Sequence, residues 1–128
     1  MLSTLSFDFI GDLPLARASC GNSDSTRYNA FLCDALASDF QWPDHCTDVI
    51  SSLNDAARGN IQEVVWCGNA YCLTYRAGLV EFENVLTEES GFSAPIQEVI
   101  FALSSWRVFL ADRKPATFAY APPPAAEP

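Results

Sequence analysis

One histidine, His45, stands between Asp44 and Cys46, and five cysteines are scattered at positions 20, 33, 46, 67 and 72. Nucleophilic or metal chemistry would have to be built from these side chains. Pro43 and Asp44 open a helical pattern, so Asp44, His45 and Cys46 fall in its first turn. Neighbours on a helix point about 100° apart and do not converge on one atom. A Cys–His pair could then form only through space, with Cys33 or Cys72, and inert packing is the commoner fate of such a cysteine. Cys67 and Cys72 flank the turn Gly68-Asn69, on one strand face in diagonal positions, without the ligand spacing of a zinc knuckle. No phosphate-cradling glycine loop and no Gly-x-Ser-x-Gly elbow occurs. The expectation is no catalytic residue, no metal and no cofactor. The cysteines, odd in number and irregularly spaced, read as small apolar residues of a reducing compartment and not as a disulfide framework.

Charge is the stronger signal. Sixteen acidic residues face seven basic ones in 128, and Lys114 is the only lysine, giving a net charge of −9. Such a body repels phosphate backbones and anionic membranes and favours a cationic partner under electrostatic steering. Asp44, Asp48 and Asp55 are spaced by four and seven along one helix face. Glu81 and Glu83 share a strand face, and these five are the candidate partner-binding residues. The bland alternative is a solvated face that only keeps the protein soluble.

The elements that carry them follow from periodicity. Ser6–Ile10 alternates and predicts a first strand, ended by Gly11 and Pro14, with a loop over 18–26. Tyr28, Phe31, Leu32 and Ala35 recur at helical spacing, with Ser23, Asp24 or Ser25 as cap. Cys46, Val49, Ile50, Leu53 and Ala57 stripe a second helix, with Gly59 placed for a left-handed stop. Gly68-Asn69 and Ala77-Gly78 each suggest a tight hairpin. The first would pair Trp66 with Tyr71 and Val64 with Leu73; the second would pair Tyr75 with Val80 and Leu73 with Phe82. Both put Val64, Trp66, Tyr71, Leu73, Tyr75, Val80 and Phe82 on one face of a three-stranded meander. After a loop through Glu88, Glu89 and Gly91, a third helix from near Ser93 or Pro95 carries Ile96, Val99, Ile100, Leu103, Trp106 and Leu110, and stops near Lys114-Pro115. The fold class is α+β: an antiparallel sheet, namely the meander plus an N-terminal strand, against about three helices. Residues 1–114 form one domain and 115–128 a Pro/Ala-rich disordered tail.

The run LNDAARGNIQEVVWCGNAYCLTYRAGLVEFEN from Leu53, followed by APIQEVIFALSSWRVFL, resembles small immunity proteins of bacterial polymorphic-toxin and contact-dependent growth inhibition systems. The features shared are a helix ending in Gly, a Trp-x-Gly-Asn hairpin, a second hairpin, and a helix closing on Trp106-Arg107-Val108-Phe109-Leu110. The resemblance covers Leu53 to Leu110 and implies a cytoplasmic antitoxin that neutralises a cognate toxin domain, often a nuclease, by protein–protein contact. It carries over no binding residue. Alternatives from other classes are an acidic adaptor or chaperone for a secreted effector, and a small hydrolase or ligand-binding domain. Without a leader-like basic and apolar start or an apolar run of about 20 residues, a cytoplasmic protein with no membrane partner is expected; the charge argues against a nucleic-acid partner, and of the open oligomeric states a monomer is favoured.

Overall fold

The computed structural model describes residues 1–21 and 24–122. β1 (Leu2–Ile10) turns through Gly11-Asp12 into β2 (Leu13–Cys20). A π-helical stretch, Tyr28–Cys33, runs directly into α1 (Asp34–Asp39), followed by α2 (Pro43–Ala57). β3 (Glu63–Cys67), β4 (Tyr71–Arg76), β5 (Leu79–Asn84) and β6 (Glu89–Pro95) precede α3 (Ile96–Asp112) and β7 (Ala116–Ala119). The strands form two antiparallel sheets, ordered β2-β1-β7 and β3-β4-β5-β6, and the fold is α+β.

The meander has the expected partition. Tyr71, Leu73, Tyr75, Val80 and Phe82 are buried together on its inner face. Trp66 lies on that face half-buried, stacked on Phe40 with ring centroids 4.5 Å apart. The Ala77-Gly78 turn closes a two-residue connection with both residues at positive φ, as such hairpins require. The first hairpin departs from expectation by two residues. Trp66 pairs with Leu73, Val64 with Tyr75, and Cys67 lies directly opposite Cys72, not diagonal to it. A shift of two conserves every face, so the partition survived a wrong register.

Three strands were read as loop or tail. β2 covers part of the expected 18–26 loop, β6 replaces the expected 88–95 loop, and Ala116–Ala119 is not disordered but pairs with Thr4–Phe7 of β1. The expectation of disorder at residues 123–128 and the cap candidate Ser23 lie outside the described residues. Asp24 accepts from the Thr26 amide and hydroxyl at the helix entry.

α2 begins with Pro43 in its first turn, and Gly59 ends it at φ +81°. Its buried stripe is Cys46, Val49, Ile50, Leu53 and Ala56; Ala57, assigned to the stripe from sequence, faces solvent. Asp112 is the last residue of α3, whose left-handed cap is Arg113. The core is one cluster in which α3 is central. Trp106 is fully buried, donates from Nε1 to the Phe40 carbonyl at 2.6 Å, and meets Phe7 of β1 edge-on at 5.1 Å. The second sheet joins the core through Phe92, which stacks on Phe31 and contacts Phe82.

Candidate functional site

α2 turns its apolar stripe into the core, which leaves Asp44 and Asp48 exposed on the opposite side. Asp55 follows on that side but is half-buried, and its carboxylate meets the Arg58 guanidinium at 3.6 Å. Glu81 and Glu83 project from β5 on the outer face of the four-stranded sheet, as alternation demands. None of Asp44, Asp48, Glu81 and Glu83 is in an ion pair among the described residues. On the outer sheet face Arg76 is taken by Glu63, with bonds of 2.6 and 2.9 Å. An exposed pair of this kind contributes little stability, but it engages the arginine that shares a hollow with Glu81.

The two acidic groups occupy different surfaces. Asp48 and His45 line a cleft of about 260 Å³ with Asp39, Trp66, Cys67, Gly68 and Asn69, where the start of α2 meets the tip of the first hairpin. Glu81 lines a hollow of about 360 Å³ with Thr74, Arg76, Ala77, Leu79 and Ser93. A larger groove, about 620 Å³, crosses the outer face of β1 and β2 between Asp8, Ile10, Leu15 and Arg17 and reaches Thr117. Beside it the β1–β2 hairpin tip holds two apolar side chains in solvent, Ile10 at 69% and Leu13 at 59% exposure.

Asp39 is the last residue of α1. It is buried, and its carboxylate accepts from the backbone amides of Asn69, Ala70 and Tyr71 at 2.8–3.2 Å. These bonds pin the β3–β4 connection to the end of α1. Asp34 does similar work a turn earlier, accepting from the Tyr71 hydroxyl at 2.6 Å while Asn84 donates to that hydroxyl. Burial, reinforced by the bond to Asp34, raises the Tyr71 pKa. Tyr28 is raised in the same way, by burial and then by its 2.6 Å bond to the buried carboxylate of Glu98. Only the three-dimensional arrangement reveals these acids as acceptors.

The reading of the cysteines needs correcting. Cys67 and Cys72 are joined in a disulfide across the β3–β4 pair, on the outer sheet face. Directly opposed positions bring their Cα atoms to 4.1 Å, and the mistaken register had concealed this. Cys20, Cys33 and Cys46 are free and buried. Burial pushes the Cys33 and Cys46 thiols up to about 12, which keeps them protonated and poor nucleophiles. His45 is exposed beside buried Cys46, and Cys72 is held by its partner. Among the described residues no group of three His, Cys, Asp or Glu side chains is placed to hold a metal ion. No described helix is long and apolar enough to cross a membrane.

What this arrangement offers is a charged surface with a rigid hairpin set into it. No family model, no curated protein and no solved structure matches the chain.

Proposed function

We propose that this protein is an immunity protein that binds a cognate bacterial toxin domain, a cationic one such as a nuclease, and blocks it by contact without catalysis. The observation that carries the reading is the unneutralised acid: Asp44, Asp48, Glu81 and Glu83 are exposed without ion-pair partners among the described residues, whereas Arg58 and Arg76 are both engaged by carboxylates. A protein of net charge −9 that presents acid in this way attracts a basic cleft from a distance and imitates the charge of a nucleic-acid substrate. The resemblance of Leu53–Leu110 to immunity proteins of contact-dependent growth inhibition systems supports the same reading.

The test is co-expression with the toxin C-terminal domain encoded beside this chain. Growth should be restored, and the purified proteins should associate faster at low than at high salt. A neighbouring gene of unrelated type, or growth arrest that persists with the chain well expressed, overturns the proposal.

A further inference from the structure

We infer that the free edge of β3 is a strand-addition site, completed by an extended, positively charged segment of the partner protein. This rests on the cationic-partner reading above and gives that partner a conformation and a place to dock.

An exposed sheet edge is a row of unpaired backbone donors and acceptors, and proteins usually blunt it. The other three edges here are blunted. At β2, the Asn29 side chain imitates a neighbouring strand: its Oδ1 accepts from the Ala18 amide at 2.8 Å and its Nδ2 donates to the Ala18 carbonyl at 3.1 Å. Pro14, in the same strand, has no amide hydrogen to offer. At β6, the Arg27 guanidinium covers the Gly91 carbonyl at 2.6 Å, and Gly91 itself is bent to φ +97°. β7 is only four residues long and follows Pro115.

β3 has no such device in its own residues, and α2 lies beside it at the cleft of His45 and Asp48. Its five residues, Glu-Val-Val-Trp-Cys, contain neither proline nor glycine. The Gly68 amide donates to the Tyr71 carbonyl at 2.8 Å, so the next opposed pair outward, Cys67 with Cys72, is a non-hydrogen-bonded pair. Its short Cα separation of 4.1 Å agrees. Alternation then makes Trp66–Leu73 and Val64–Tyr75 the bonded pairs and turns the amides and carbonyls of Glu63, Val65 and Cys67 away from β4. No described residue hydrogen-bonds to them. The Val65 side chain above this edge is 59% exposed. The edge is also held rigid for a guest, since the disulfide and the Asp39 carboxylate both fix its hairpin.

Charge selects the guest. At the hairpin end of the edge the cleft beside Trp66 and Cys67 is lined by Asp48, whereas Glu63 at the other end already holds Arg76. A second copy of this chain would bring one body of charge −9 against another. A strand with lysine or arginine at alternate positions would instead set a cation beside Asp48 while its backbone pairs with β3.

The probe is a short peptide alternating lysine and valine, added to the full-length protein and followed by amide NMR. It should slow hydrogen exchange at Val65 and Cys67. A counterpart N-methylated at every residue keeps the charge, loses every backbone donor, and should bind at least about tenfold more weakly. Val65→Pro removes an outward amide without breaking the ladder to β4 and should weaken binding to the same degree. Equal binding of the methylated peptide overturns strand addition but leaves the cationic-partner reading intact. A glutamate–valine peptide that binds as well as the lysine one overturns the charge preference in both. No protection at Val65 with millimolar lysine–valine peptide overturns the site, and the growth test still judges the partner independently. A concentration-dependent dimer abolished by Val65→Pro also overturns it, since the occupant would then be a second copy.

Discussion

The carboxylate of Asp39 fills the space in which a side chain on residue 68 would begin. A Cβ built on Gly68 would lie 2.6 Å from Asp39 Cγ and 2.8 Å from the Trp66 ring. Glycine is required here by close approach and not by its backbone angle. The acid and the glycine thus form one device: the absence of a side chain at 68 lets the carboxylate reach the next three amides.

Gly68→Ala should therefore destabilise by about 1–3 kcal/mol through overpacking. Asp39→Ala, which strands three amides, should cost about 3 kcal/mol. Because both act on one loop, the double variant should cost clearly less than the sum. Urea denaturation of the four proteins measures this, and strict additivity would show that the two residues act separately.

Leu73 and Thr74 are neighbours on opposite faces of β4, one in the core and one facing outward. Leu73→Ala should cost about 2–5 kcal/mol as a core truncation. Thr74→Ala should stay within about 0.5 kcal/mol. Equal costs from thermal or chemical melts would mean that the outer face is covered.

Alkali should unfold the protein through its buried thiols. Cys33 and Cys46 ionise near 9.0 when free and near 12 when folded. Below 9.0 both states hold the protons and nothing is lost. Above it the unfolded chain releases two protons that the folded chain keeps, so stability falls as pH rises from about 9 toward 12. Replacing both cysteines by alanine should reduce that fall without abolishing it, because Cys20, Tyr28 and Tyr71 are raised by burial as well; an unchanged slope in a pH series of denaturant midpoints would assign the fall to them.

Charge reversal separates the two acidic surfaces. Asp44→Lys with Asp48→Lys, or Glu81→Lys with Glu83→Lys, should slow association with the cognate toxin domain several-fold and flatten its salt dependence, with little change in melting temperature. The helix pair is expected to have the larger effect. Rates indifferent to salt and to both reversals would leave the acidity as a solubility feature and move the interface to apolar surface.

The elements legible in the sequence were those whose apolar residues are large and regularly spaced. α2, α3 and the three strands from Glu63 to Asn84 all satisfy this, and most of their buried faces emerged, although α3 also buries Ala102 and Phe109 and leaves Ile100 half-buried. β2 did not, because its inward positions are Pro14, Ala16 and Ala18 while Leu13 and Leu15 face outward, which inverts the expected pattern. The β1 partners of Ala16 and Pro14, Phe7 and Phe9, carry the apolar bulk instead and pack on Phe109. Among its described side chains β6 buries Phe92 and Ala94, and the strand is bent at Gly91, so it reads as loop. The first hairpin was placed two residues out because Gly-Asn suggested a two-residue turn, whereas a buried carboxylate from a distant helix holds a longer one. Of the candidate site, the exposed acids were legible as composition and periodicity. The strand edge was not, since it depends on which other edges Asn29 and Arg27 happen to cover.

β1 is the middle strand of its sheet, and one of its neighbours comes from the far end of the chain: the Ser6 and Thr117 hydroxyls meet 3.1 Å apart across 111 residues. The β1–β2 hairpin can form as soon as it is synthesised, but its second edge must wait until residues 116–119 have emerged from the ribosome. Until then β1 exposes an open flank, along with the face that Trp106 and Phe109 will cover. Closing a loop this long is slow. The nascent chain should therefore pass through a late, aggregation-prone stage that ends only with docking of the final strand, and the length of that stage is set by translation of the C-terminal third, not by the intrinsic speed of any helix or hairpin.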